Sequence, residues 1–386
     1  MKYLTAADYD YAVACRRIIH RHPEMLFDLE QTAALVCREL DRMGVTRSKA
    51  GPGSVVGWIG PEDASVTVAM RADMDALPIQ ECTGLPFASE VPSVMHACGH
   101  DSHTAVLLTV AQILKRHEQE LTVRVKLLFQ PSEEGAESGA KSMVEHGAMD
   151  DVDCILAAHC DNDLNVGTIG ICSGGYMTAS TLIHLVFLGK KAHAASPEKG
   201  VDAIAMAVEA YGALKQAIAE EAGDRLHIFG INCLGGGTAP NMVADRCEMT
   251  IAFRYYDKAL YESFRKRCDE ICAQIAVKYG GSVEQSWHTS APPVYNDPVL
   301  TAQFAACVEK VLPQSLQWID PARVSEDFSW YLEKKPGFLF RFGTRNEETG
   351  CTSALHTPDF NIDERGMASA VEAFVGFVLK EKEAAV

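Results

Sequence analysis

Val66-Thr67-Val68-Ala69-Met70 runs directly into Arg71-Ala72-Asp73-Met74-Asp75-Ala76-Leu77-Pro78. An apolar run of this length followed by charged residues reads as a buried strand carrying polar groups at its carboxyl end. The pattern recurs twice. Residues 123–129 lead into Gln130-Pro131-Ser132-Glu133-Glu134-Gly135, and residues 154–158 lead into His159-Cys160-Asp161. Between the first two runs, a helix is expected from about residue 103 to 116. It is preceded by His96-Ala97-Cys98-Gly99-His100-Asp101-Ser102-His103. Strand, helix, strand with buried runs predicts an α/β fold, a sheet covered by helices. Ligands of such sheets collect at the carboxyl ends of strands, so the four polar clusters converge on one crevice.

Outward from this core, residues 8–44 have helical periodicity through Ile18, Ile19, Leu35 and Leu40, and residues 54–59 read as another strand. The pattern changes near Gly174-Gly175. Strands at 181–188, 227–233 and 246–254 alternate with helices at 201–220 and 258–279, a βαββαβ-like order. Helix and strand resume after Pro292-Pro293. We therefore expect a discontinuous catalytic domain, 1–174 and 290–386, with a smaller α+β domain inserted at 175–289.

Two domains suit a chain of 386 residues. Its formal net charge of −17 would repel a phosphate backbone, which excludes nucleic acid as a partner. No run of about 18 apolar residues suggests a membrane span, and Met1–Asp8 lacks the apolar core of a signal peptide. The 13 cysteines follow no repeated spacing, and Cys268 and Cys272, one helical turn apart, read as packing. A cytoplasmic protein with reduced thiols is expected.

The clusters combine thiol, imidazole and carboxylate, the donors that a borderline divalent metal accepts. Cys98 and His100 are close enough to face one ion from a tight loop. Glu133 and Glu134 are adjacent, so on extended backbone one can bind metal while the other faces substrate. Metal-assisted hydrolysis needs that division, because a free carboxylate must carry the proton. Each residue alone has an ordinary reading: Cys98 as a small buried hydrophobe, the glutamate pair as helix-start carboxylates. Recurrence of ligand types at equivalent strand ends favours the metal site.

Together the segments resemble the aminoacylase-like binuclear metallopeptidases, peptidase family M20. The nearest subfamily is the amidohydrolases that include hippurate hydrolases, N-acyl-amino-acid deacylases and auxin-conjugate hydrolases. The resemblance rests on residues 17–30, 70–79, 95–103, 129–135, 157–160, 189–202, 235–243, 325–328 and 355–360. It implies a phosphorylase/hydrolase-like mixed-sheet domain and a ferredoxin-like insert serving as lid and dimerisation domain. It also implies two divalent ions (zinc, manganese, cobalt or nickel) held by Cys98, His100, Glu134, His159 and His356. Glu133 would be the general base and Asp75 would orient a metal-bound histidine. Asp73 is a weaker candidate and His103 is structural, while His20 and His22 would shape the rim.

In the insert, the resemblance singles out His193, Asn241 and Arg254 as groups for the substrate carboxylate or oxyanion, with His193 also counted as catalytic. Their ordinary readings are loop hydrogen bonds and a surface ion pair. Ala244 departs from the pattern, which often has proline there. The implied substrates are N-acyl amino acids or dipeptides, and the implied assembly is a homodimer through the insert, or a homotetramer. The rivals are a dipeptidase or carboxypeptidase with the same cage, a thiol hydrolase using Cys98, and an inactive ligand-binding relative.

Overall fold

The computed structural model describes residues 1–379. In chain order the first elements are α1 (Ala6–Arg21), α2 (Glu30–Met43), β1 (Thr46–Ser48), β2 (Val55–Ile59), β3 (Thr67–Asp73), α3 (His100–Arg116), β4 (Arg124–Gln130), α4 (Gly139–Glu145), β5 (Cys154–Asn165) and β6 (Ile169–Ile171). There follow β7 (Ser180–Leu188), α5 (Ala203–Ala222), β8 (His227–Gly236), β9 (Arg246–Tyr255), α6 (Lys258–Tyr279) and β10 (Ser282–Ala291). The chain returns through α7 (Pro298–Val311), β11 (Leu316–Trp318), β12 (Gly337–Arg345) and α8 (Arg365–Val378).

It divides into two compact units. Among the described residues, the first comprises 1–176, 295–321 and 327–379, and the second comprises 177–294 and 322–326. The expected boundaries of 174 and 290 shift by a few residues. The second unit also takes back a short segment, 322–326, far along the chain from the insert, where Thr178 donates its amide to the Val324 carbonyl at 2.9 Å.

The first unit is built on a mixed eight-stranded sheet, ordered β1-β2-β4-β3-β5-β12-β6-β11. Its centre is parallel: β3 pairs with both β4 and β5, and β12 pairs with β5. Every residue of β3 is buried, and so is nearly every residue of α3. A run with no exposed face is what a strand covered on both sides requires. Because β3, β4 and β5 are parallel, their carboxyl ends share one edge. The crossover from β3 to β4 brings the start of α3 to that same edge.

The continuous helical pattern of 8–44 is broken into two helices. Pro23 lacks an N–H and disfavours helical backbone at His22, whose φ and ψ are −124° and 62°. The start of α1 is fixed by Thr5 and Asp8, which cap each other's backbone amides. Helix α3 begins at His100, earlier than the expected 103, and β5 runs to Asn165, well past 158.

In the second unit, β8-β9-β7-β10 form a four-stranded sheet with antiparallel neighbours, the ferredoxin-like arrangement. Helices α5 and α6 supply Met206, Leu214, Phe264 and Ile271 to its core. Cys268 and Cys272 are buried in that core, as packing residues. No helix among the described residues is long and apolar enough to cross a membrane.

Candidate metal centre

The structure gathers the five sequence-predicted ligands into overlapping groups. Cys98, His100 and His159 have donor atoms within 4.8 Å of one another, and so do Cys98, Glu134 and His356. Cys98 belongs to both, with its Sγ 3.5 Å from His159 Nε2 and 3.3 Å from His356 Nε2. Glu134 Oε1 lies 3.1 Å from His356 Nε2. Glu133 stands just beyond, its Oε2 3.9 Å from His100 Nε2.

Each donor is held by its backbone surroundings. Gly99 precedes α3 with φ +82°, turning the chain so that Cys98 and His100 face the same space. A Cβ at Gly99 would lie 2.3 Å from Cys160 Sγ, so the position admits only glycine. His100 donates Nδ1–H to the Asp75 carbonyl at 2.8 Å, and His159 donates its Nδ1–H to the Cys160 carbonyl at 2.7 Å. Both imidazoles thereby present Nε2 to the centre, the usual arrangement for a ligating histidine. His356 has φ +63°, a strained value for a non-glycine residue, and its amide is tied to the Ala97 carbonyl at 2.8 Å.

His100 is held by the main-chain carbonyl of Asp75, with the Asp75 carboxylate, expected to orient it, farther off at 3.4 Å; that carboxylate holds other groups. Its Oδ1 accepts the Glu133 amide at 3.0 Å and its Oδ2 accepts the Glu134 amide at 3.1 Å. One buried carboxylate thus sets the backbone of both glutamates. Asp73 and His103 pair with each other: Nδ1 of His103 lies 2.6 Å from Asp73 Oδ1, and its Nε2 accepts the Cys160 amide at 2.9 Å. Both nitrogens of His103 are occupied, so it braces the β5 strand beside His159.

His20, expected at the rim, is fully buried. It contacts Asp101 Oδ2 at 2.8 Å, the oxygen that also accepts Arg16 Nε–H at 3.0 Å. The polar residues of α1 turn inward here because α1 packs on α3, so His20 is a structural partner of Asp101. His22 is only part-buried, with its Nδ1 4.0 Å from a carboxylate oxygen of Glu90. Arg71 is given no role in the site by the sequence reading. It is 2% exposed and contacts Gln130, Asp73 and Asp327. A charged residue within an apolar strand is the signal that marks such a position.

The electrostatics fit divalent cations. Burial, then Glu134 and Glu133, push the Cys98 thiol well above its ordinary range. Against burial, Asp73 and Asp75 raise His100 to about 10. Burial and the Arg341 charge keep His159 far below its ordinary value, a neutral imidazole. His100 Nε2 is buried without a hydrogen bond. The carboxylates of Asp73, Glu133 and Glu134 concentrate negative charge that cations would offset, and a cation bound at His100 would displace the Nε2 proton and take that nitrogen's lone pair.

In the second unit, His193 and Asn241 are neighbours. Ala194 donates its amide to the Asn241 carbonyl at 2.9 Å, and His193 pairs with Met242. Both side chains are exposed. Arg254 pairs with Ile228, toward the opposite end of β9 from the turn that leads to His193. The structure therefore brings together two of the three expected substrate groups and leaves Arg254 about 27 Å along the strand from Arg246 at ~3.4 Å per residue.

Residues 69–380 match the model of peptidase family M20/M25/M40. The chain is 34% identical to the N-acetyl-L-cysteine deacetylase of Bacillus subtilis, over 93% of this chain and 85% of that one. It is 32% identical to thermostable carboxypeptidase 1 of Saccharolobus solfataricus, over 92% and 91%. The crystal structure of the Bacillus subtilis YXEP protein, described as a dinuclear metal binding peptidase of the M20 family, aligns with a TM-score of 0.81 at 30% identity. That alignment covers 97% of this chain and 98% of that one. The family match and relatives above 30% identity over nine-tenths of the chain agree, and the chain belongs to peptidase family M20/M25/M40.

Proposed function

We propose that this enzyme, a metal-dependent hydrolase of amide bonds, cleaves N-acyl amino acids to a carboxylic acid and a free amino acid. The observation that carries the reading is a spare carboxylate. Cys98, His100, Glu134, His159 and His356 suffice as ligands, and Glu133 stands beside them on the same Asp75-held turn. Two bound divalent ions (zinc, manganese, cobalt or nickel) would supply Lewis acidity to the amide carbonyl and to the attacking water.

Glu133 takes the proton of that water as its oxygen adds to the carbonyl carbon. The same carboxyl returns the proton to the amide nitrogen as the C–N bond breaks. Asp75 keeps Glu133 in line by holding its amide. The proposal gives His193 and Asn241 the substrate carboxylate or the developing oxyanion, and Arg254, at the far end of β9, joins that small substrate only from a second copy of the chain. It also makes the second unit the contact between two copies of the chain, with α5 offering exposed Ile204, Val208 and Tyr211 on one face. The assigned compartment is a reducing cytoplasm, where 13 cysteines remain thiols.

The test is chelation, reconstitution with each single metal, and a screen of N-acetyl, N-benzoyl and longer N-acyl amino acids against dipeptides. N-acyl amino acids should exceed dipeptides by tenfold or more in kcat/KM, about 1.4 kcal/mol in the transition state. A preference for dipeptides would replace this reading with the carboxypeptidase one. Turnover surviving a chelator would favour the Cys98 nucleophile. Glu133→Gln should lower kcat by about 10²–10⁴-fold with metal content unchanged. An active Glu133→Gln enzyme removes Glu133 from its role.

A further inference from the structure

The segment that carries Glu133 and Glu134 is fastened at both ends to one remote carboxylate, that of Asp327. Before the glutamates, Gln130 Nε2–H donates to Asp327 at 2.8 and 2.9 Å. After them, Ser138 Oγ–H donates at 2.7 Å and the Ala140 amide at 3.2 Å. Arg71 adds an N–H at 3.0 Å, and its Nε–H donates to Gln130 Oε1 at 2.7 Å. Asp327 is 6% exposed, and these contacts lie within the first unit.

The loop between these ends is closed tightly. Ser132 has φ +49°, and its hydroxyl donates to the Glu137 carbonyl at 2.7 Å. Gly139 returns its amide to the Ser132 carbonyl at 2.9 Å, and a Cβ there would stand 1.6 Å from the Pro131 carbonyl oxygen. Asp75 fixes the middle of the loop and Asp327 fixes its ends. The network also reaches the other side of the centre, since Arg71 bonds Asp73, Asp73 bonds His103, and His103 accepts the amide of Cys160 beside His159.

We propose that Asp327 is a positioning residue for the reaction, clamping the 130–140 loop so that Glu134 meets its metal and Glu133 meets the water. It acts through the loop and touches no reacting atom. The charge balance supports this role, because Asp73 and Asp327 share the buried Arg71 guanidinium, so neither carboxylate stands unpaired in the interior. A carboxylate accepts these donors with two oxygens, whereas an asparagine amide would offer one accepting oxygen and turn a donating nitrogen toward them.

The inference rests on the proposed roles of Glu133 and Glu134. Its test uses Asp327→Asn in the full chain, with Asp8→Asn as a control for the loss of a buried carboxylate elsewhere; Asp8 pairs with Arg116 and Gln112. Cobalt affinity is read by titration and visible absorption, alongside kcat, KM and the melting temperature. Asp327→Asn should weaken cobalt binding and lower kcat, each by about 10–100-fold, the usual range for groups supporting ligands, with KM within about threefold. Asp8→Asn should melt earlier yet keep both values per folded molecule.

Wild-type cobalt affinity and kcat in folded Asp327→Asn would overturn the clamp. So would losses matched by Asp8→Asn. If Asp327→Asn does not fold, Ser138→Ala removes one arm of the clamp without changing charge. A several-fold fall in kcat and cobalt affinity there supports the clamp, and unchanged values overturn it. A weakened cobalt affinity stands apart from the base assignment, which Glu133→Gln tests through kcat alone.

Discussion

The amide of His356 donates to the carbonyl of Ala97 at 2.8 Å. This single bond seats a residue of the C-terminal loop against the residue before Cys98, and it holds His356 at φ +63°. The side chain, half exposed, then reaches Cys98 and Glu134. Strained backbone persists where the surroundings over-determine it, and here the surroundings are Cys98 and Glu134, the other proposed donors.

His356→Ala should therefore lose metal without losing the fold. Metal analysis should find one ion bound more weakly, and kcat should fall on the order of 10²-fold or more. The His356→Gly protein should be equally impaired but about 1 kcal/mol more stable than His356→Ala, because glycine accepts positive φ freely. Equal denaturation midpoints for the two variants would show that the backbone there is not strained.

Asp75→Asn tests the shared support of the glutamates. Asparagine offers one oxygen where Asp75 accepts two amides, so either Glu133 or Glu134 would keep a buried N–H without a partner. The loss should be about 1–3 kcal/mol in urea denaturation, with kcat falling more than KM rises. Wild-type kinetics would return Asp75 to a purely structural role.

Gly99→Ala should be among the costliest single changes. The added carbon meets Cys160 Sγ at 2.3 Å and also sits at φ +82°. Overpacking and left-handed backbone together should cost ~2–4 kcal/mol. Gly44→Ala, at φ +68° with open space around it, should cost only about 1 kcal/mol. Equilibrium denaturation of the two proteins, side by side, reads the difference. Restoring Gly99→Ala with a second change, Cys160→Ala, should recover part of the packing share.

Asp363 gives an acid-side prediction away from the metal. The Arg365 guanidinium, with Nε–H 2.9 Å away, lowers its carboxyl to about 2 from 3.8. A depressed carboxyl contributes stability above its ordinary value and loses it as pH falls toward the folded value. Asp363→Asn should thus cost about 1 kcal/mol at pH 7, reduced from a larger figure because Arg365 is mostly solvent-exposed. The gap in melting temperature between the two proteins should close between pH 4 and pH 2. A gap that persists at pH 2 would mean the ion pair is not its source.

The sequence by itself determined the chemistry and the coarse architecture. Apolar runs ending in Asp73, Gln130 and His159 marked the strands, and period and length marked α3, because burial on both faces leaves a local signature. The proposed donors Cys98, His100, Glu134 and His159 stand out in the sequence because ligand-type residues recur where apolar runs end or a helix begins. Tertiary structure alone decided the rest. Nothing near His356 in the chain marks it as a ligand; only its hydrogen bond to Ala97 carries it there. His20 read as a rim residue because its partner Asp101 belongs to another helix. Asp327, Arg71 and Asp75 support the glutamates through contacts between segments far apart in sequence, and local periodicity carries no record of such pairings. A strand's pattern reports which face is buried, but which carboxylate meets which amide is set only when the sheet order is fixed.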